Sequence, residues 1–218
     1  MRRFKGLLKA SHFGPTLIVT TISFLFANYY WWEGPAFVIA FGVFTGQLVV
    51  GWSNDLYDYA DDARHNRTNK PLVSGEITES FLRNWLRFML PFSFIANLLG
   101  PLGIRGGLVY MLGIACGVAY NFYFKFSRFS PLPYAIAFAA LPSSIVISKE
   151  ITPPLWMWLG GALFGMAAHF INVIKDMKED HASGIKGMPQ SLGTRGSILV
   201  ALVLISCGVF VLIQQLNS

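Results

Sequence analysis

Charge-free stretches dominate the chain. They run from Ala10 to Trp32, Gly34 to Asn54, Phe88 to Ile104, Gly106 to Phe124, Phe129 to Ser148, Ile151 to Ile174 and Gly196 to Ser218. A helix needs about 20 mainly apolar residues to cross the hydrocarbon core of a bilayer, and these stretches are of that order. The pattern predicts an all-α protein, a polytopic bundle of seven transmembrane helices. Buried core helices of a soluble protein would need amphipathic cover helices, and the chain has no such surplus of polar sequence. The opening Met-Arg-Arg-Phe-Lys lacks a small-residue cleavage site after its long apolar run, so it reads as a retained first helix and not a removed signal.

Composition sharpens this picture. Of 218 residues, 54% are apolar and only 13% charged, against about a quarter charged in an ordinary soluble domain. A soluble enzyme and a disordered chain are both disfavoured. The net charge of +6 is explained by topology. With the N-terminus cytoplasmic, fifteen of the seventeen basic residues fall on inside segments, leaving Arg105 and Lys149 outside, which is the bias expected of inserted helices. Nucleic acid is therefore a poor partner for this chain, and the lipid bilayer is the expected one. Cys116 and Cys207 each sit in an apolar run and suggest neither a disulfide framework nor a metal spacing.

The outside turns at Glu33, Arg105 and Lys149-Glu150 are minimal, whereas Asp55 to Arg87 and Lys175 to Arg195 are long and polar. Function is expected on the cytoplasmic face. Gly113 with Gly117, and Gly161 with Gly165, are spaced by four and would let helix backbones approach closely. No separate soluble domain is visible, so residues 1–218 read as one transmembrane domain.

Two acidic clusters carry the candidate chemistry. Asn54-Asp55-Leu56-Tyr57-Asp58-Tyr59-Ala60-Asp61-Asp62 follows the second apolar stretch. If the helix continues, steps of 100° put Asp55, Asp58 and Asp62 within an arc of about 60°, with Asn54 and Asp61 at its edge. Like charges so close repel, so the arrangement needs cations. The second cluster, His169, Asn172, Asp176 and Asp180, recurs at intervals of three and four and forms one helical stripe about 80° wide. Polar groups at membrane depth normally face a cavity or pathway. His169 reads as an interhelical hydrogen-bonding residue more than as a ligand.

Aspartates are hard oxygen donors suited to Mg²⁺, which keeps its other positions for water and substrate phosphate. No Cys/His set for zinc and no P-loop accompany them. The consistent chemistry is metal-bridged binding of a diphosphate. Cations near the clusters could serve the same anion, chiefly Arg67, Lys70 and Lys125, with Lys175 beside the second cluster.

These residues resemble the UbiA superfamily of intramembrane prenyltransferases. Asn54-Asp55-x-x-Asp58-x-x-x-Asp62 matches that family's first aspartate motif. Asp176-x-x-x-Asp180, followed by Gly184-Ile185-Lys186 and Leu192-Gly193, resembles its second, and Asn69-Lys70-Pro71-Leu72-Val73-Ser74-Gly75 resembles the segment after the first. The resemblance implies Mg²⁺ held by Asp55, Asp58, Asp62, Asp176 and Asp180. It also implies a prenyl diphosphate bound among Asn54, Arg67, Lys70, Tyr120, Lys125, Asn172 and Lys175, where Tyr120 and Lys125 are the looser matches. The implied reaction transfers a polyprenyl group to a small acceptor, an aromatic quinone precursor first of all. A phosphoglycerol or phosphosugar acceptor, or terpene cyclisation, are alternatives on the same fold. A divalent-cation carrier is disfavoured, because its carboxylates would be expected near the bilayer midplane and these sit at helix ends. Family members typically have nine transmembrane helices, so seven without the last two imply either a short variant or a chamber closed by lipid, by a partner or by oligomerisation. Asp61 is an acid additional to the motif.

Overall fold

The structure, a computed structural model, describes residues 2–216. It is all-helical among those residues: α1 (Arg2–Ala10), α2 (Phe13–Tyr30), α3 (Glu33–Arg64), α4 (Glu79–Leu99), α5 (Gly103–Phe122), α6 (Pro131–Ile147), α7 (Leu155–Ala182) and α8 (Met188–Leu216), with a short 3₁₀ turn at Phe124–Phe126. Each of the seven apolar stretches falls mainly on one helix, α2 to α8, the last of them as far as residue 216, since residues 217–218 lie outside the described residues. Four helices, α3, α5, α7 and α8, are long and apolar enough to cross a membrane. The bent pair α1 and α2 makes five if it counts as one span. This is fewer than the seven spans expected. Helix α6 has only 17 residues, and α4 carries Glu79, Arg83 and Arg87 in its first half, so each is too short or too polar to pass alone. These apolar spans mark the chain as an integral membrane protein.

Sequential helices pack as neighbours, and α2 also meets α6, which closes α2 to α6 into a ring. Helix α3 lies deepest: 67% of its apolar window is buried, against 17% for α8, which packs mainly on α7. The core centres on Ile39, Val43, Val49 and Trp52 of α3, joined by Leu82, Tyr110, Ile114 and Ile145. Some polar side chains inside the bundle bond to backbone carbonyls of neighbouring helices, as suits a place where water is absent. Asn97 donates to the Gly42 carbonyl at 3.1 Å, and the Tyr110 hydroxyl donates to the Val43 carbonyl at 2.9 Å. The predicted close approach of small residues is present where α7 crosses α6. A Cβ at Gly161 would lie 2.8 Å from the Phe138 carbonyl oxygen, and one at Gly165 would lie 2.4 Å from that of Tyr134.

The polar connections are shorter than the charge pattern suggests. Helix α3 continues through its acidic end to Arg64, and α7 continues to Ala182, so the true connections are residues 65–78 and 183–187. The backbone ladder runs on through both acidic ends, and the aspartates at three and four residue intervals consequently share one helix face. The first connection is folded by successive turns, with Arg67 N–H on the Asp62 carbonyl at 3.0 Å, Lys70 N–H on Arg67 at 3.0 Å and Ser74 N–H on Lys70 at 2.9 Å. It ends at Thr78, whose hydroxyl accepts from Phe81 N–H and starts α4. Helix α8 is kinked at Gly193, whose φ of 68° lies in the left-handed region that glycine adopts without penalty.

Candidate active site

The last turns of α3 present Asp55, Asp58 and Asp62 inward, and each meets a different cation. Lys70 Nζ donates to Asp55 Oδ1 at 2.8 Å. Arg67 Nη1 donates to Asp62 Oδ1 at 2.7 Å. Lys125, from the 3₁₀ turn after α5, donates to Asp58 and lies over the Tyr57 ring. Asp55 and Asp62 are both 2% exposed, so unpaired charge there would be costly. The cations that the clustered carboxylates demand are thus supplied by the chain, and they are Arg67, Lys70 and Lys125. Burial works against the charge on Lys70, but Asp55, Asp62 and Asp58 more than offset it and hold its pKa above the usual lysine value.

Asn54 donates to Asp58 at 3.1 Å and to Asn121 at 3.2 Å. Asn121 in turn ties α5 to α3 through Val50 and Ser53, both at 3.0 Å. Sequence reasoning did not single out Asn121, though its place beside Tyr120 in an apolar helix is the signal that would have found it. His12 was also missed. It sits at the junction of α1 and α2 with Nε2 3.3 Å from Asp55 Oδ1, and nothing in its local sequence points to that contact.

Asp176 and Asp180 lie on the last turns of α7, half-buried. Asp180 accepts from Gln190 Nε2 at 2.7 Å. His169 is buried and bonded to Ser130 Oγ at 3.0 Å, the interhelical role expected of it. Its ring is 4.6 Å from Tyr134 and 5.4 Å from Tyr120. Asn172 is exposed and reaches Tyr134. Lys175 is exposed beside Asp176 and takes no part in the ion pairs of the described residues.

The two clusters meet at one end of the bundle. Arg67 spans the gap: besides Asp62 it donates to Ser183 Oγ at 2.7 Å and to the Glu179 carbonyl at 3.3 Å. Ser183 in turn donates to Asp61 Oδ2 at 2.6 Å, which gives the additional acid a place in the link. Tyr120 stands in the electrostatic field of Asp58, Asp176 and Asp180 together. As the side chains stand, no three His, Cys, Asp or Glu residues are grouped as a ready metal cage among the described residues, because each first-motif carboxylate has turned to its own cation. Several buried polar atoms of the described residues lack a hydrogen-bond partner, among them His169 Nδ1, Gln190 Oε1 and Asp55 Oδ2. Asp55 Oδ2 is the carboxylate oxygen of that set, an unsatisfied hard donor of the kind a divalent cation takes.

The sequence profile of the UbiA prenyltransferase family matches residues 16–217. The chain belongs to the UbiA prenyltransferase family. No curated protein sequence matches it. Among solved structures it is similar to a UbiA homolog from Archaeoglobus fulgidus bound to DMAPP and Mg²⁺, with a TM-score of 0.80 at 16% identity over 94% of this chain and 75% of that one. The same homolog bound to GPP and Mg²⁺ gives 0.81 at 16% identity over 94% and 76%. A digeranylgeranylglyceryl phosphate synthase structure gives 0.69 at 18% identity over 97% and 76%. At these identities the likeness establishes a shared UbiA fold, and that fold brings two aspartate-bearing helix ends to one mouth of the bundle.

Proposed function

We propose that the chain acts as one transmembrane domain that transfers a polyprenyl group from a prenyl diphosphate to a small acceptor, with Mg²⁺ and with its site at the cytoplasmic mouth. The observation that carries this reading is the alternation of carboxylates and cations at one end of the bundle, Asp55 with Lys70, Asp58 with Lys125 and Asp62 with Arg67, linked to the end of α7 through Ser183. A diphosphate needs cations and its counter-metal needs oxygen donors. This mouth offers both. The relatives bound to DMAPP or GPP with Mg²⁺ support the same ligand class.

Asp55, Asp58, Asp62, Asp176 and Asp180 are the residues that would hold Mg²⁺, beginning at the unpartnered Asp55 Oδ2. Mg²⁺ held there would supply Lewis-acid charge to neutralise the diphosphate leaving group of an allylic substrate. Arg67, Lys70 and Lys125 bind diphosphate oxygens and hold them in place, with Asn54, Asn172 and Lys175 at the edge of the site. Tyr120 and Tyr134, in edge contact with centroids 5.1 Å apart, would offer π surface to an allylic cation and help keep water from it. The acceptor carbon then bonds to the allylic carbon, and Asp58 or Asp180 takes the proton that the acceptor loses.

An aromatic acceptor of the quinone-precursor kind is the first reading. A phosphoglycerol acceptor is the second, favoured by the likeness to digeranylgeranylglyceryl phosphate synthase. The test incubates purified protein with Mg²⁺ and prenyl diphosphates of several lengths, with aromatic or phosphorylated acceptors or none, and follows diphosphate release and lipid products. Release that depends on an aromatic acceptor is expected. Dependence on a phosphorylated acceptor selects the second reading, release without any acceptor indicates cyclisation, and no release in any combination overturns the enzyme.

A further inference from the structure

Helix α1 plays no part in the chemistry above, yet it is firmly placed. The Trp52 indole N–H donates to the Leu7 carbonyl at 3.0 Å, and Arg3 lies over the Phe81 ring at 5.5 Å. Gly6 packs so closely on the 65–78 connection that a Cβ there would fall 2.6 Å from Ile77 Cγ2. The chain then turns at His12, in the left-handed region with φ of 51°, so that α1 and α2 make an angle of 68°. If α2 crosses the bilayer, a bend of 68° brings α1 closer to the membrane plane than to its normal. Phe4 is 65% exposed on it, and the helix contains four basic residues and no acid.

Between α1 and the 65–78 connection lies an open cavity of about 480 Å³, lined by Arg2, Lys5, Lys9, Ser74 and Glu76. Lys9 pairs with Glu76. Three cations against one carboxylate leave net positive charge, since neither Arg2 nor Lys5 has an ion-pair partner among the described residues. None of the site aspartates lines the cavity, so it is separate from the candidate active site.

We infer that this cavity binds the phosphate of an anionic phospholipid headgroup in the leaflet against which α1 lies. The shared chemistry is a phosphate among cations and a serine hydroxyl. The lipid is the source we assign because a basic helix bent 68° away from an apolar one, with Phe4 exposed on it, has the make-up of an amphipathic surface helix. Basic residues at a membrane surface attract anionic lipid at about fivefold in affinity per charge.

The full chain, purified in dodecyl maltoside, is titrated with phosphatidylglycerol, phosphatidylcholine or inorganic phosphate, and bound adducts are counted by native mass spectrometry. Phosphatidylglycerol should be retained at least about tenfold better than phosphatidylcholine, and inorganic phosphate not at all. Arg2→Gln with Lys5→Gln, both exposed positions, should lower that retention by about twentyfold. The charge-matched Arg105→Gln with Lys149→Gln, at the opposite helix ends, should leave it unchanged. Raising salt to about 1 M should release the lipid from the unmodified protein, a check that does not depend on any variant folding. Equal retention of the two lipids, undiminished retention in the Arg2/Lys5 variant, or phosphate bound as tightly as lipid would each overturn the assignment.

Discussion

The two aspartate clusters end helices of similar build, yet the fold treats them differently. At the end of α3 every motif carboxylate is matched by a cation, and two of the three aspartates are almost wholly buried. At the end of α7 both aspartates are half-exposed. Asp180 leans on the neutral Gln190, and Asp176 has no hydrogen-bond partner among the described residues. Fixing three like charges within a few turns of one helix is tolerable only where counter-charge is fixed with them. The first cluster is therefore organised by the chain itself, while the second keeps solvent-facing charge available to what enters the mouth.

Removing either end should have the largest effect. Asp55→Asn and Asp176→Asn should each lower diphosphate release by about 10²–10³-fold while circular dichroism shows the bundle still helical. A normal rate in the Asp176 variant would break the comparison by leaving the second cluster outside the site. Next comes stability. Lys70→Met strands the buried Asp55 and should cost about 2–4 kcal/mol in unfolding from mixed micelles. Gln190→Leu beside the half-exposed Asp180 should cost only about 1 kcal/mol. Equal costs would show that the two ends are equally dependent on internal partners.

Smaller still, Ser183→Ala removes the hydroxyl that joins Asp61 to Arg67. It should cost about 1 kcal/mol and raise the KM for prenyl diphosphate several-fold with little change in kcat. The smallest effect concerns pH. Lys70 is held above its usual pKa by its carboxylates. Its contribution is complete below the unfolded lysine value of about 10.4 and is lost only as pH rises through the higher folded value. Stability attributable to Lys70, measured as the difference from Lys70→Met, should thus be flat from pH 7 to about 10 and fall above that.

Much of the bundle was legible in advance. Seven uninterrupted apolar stretches became seven helices, and the aspartate spacing placed Asp55, Asp58 and Asp62 on one face as the structure has them. Arg67, Lys70 and Lys125 could be picked as the cations beside the motifs from their nearness to them. Their pairing with particular aspartates could not, because Lys125 meets Asp58 across 67 residues and Arg67 meets Ser183 across 116. Fewer helices than charge-free stretches are long and apolar enough to cross a membrane, because charge-free length ignores where a helix begins. Helix α4 starts at Glu79, nine residues before its apolar stretch, and brings its charges with it. His12 gave no sign in its local sequence, because its side chain reaches Asp55 only through the packing of the α1–α2 junction on α3.

Apolar periodicity and aspartate spacing are local properties, since a helix fixes which residues share a face within a few turns, and so the sequence alone determined the helices, the acidic faces and the family resemblance. Tertiary structure decided which cation neutralises which carboxylate, how Arg67 and Ser183 close the gap between α3 and α7, and where the bend at His12 lays α1. Those outcomes depend on distances between segments far apart in the chain. In a low-dielectric interior such distances, more than residue type, set whether a charge is paired or left bare.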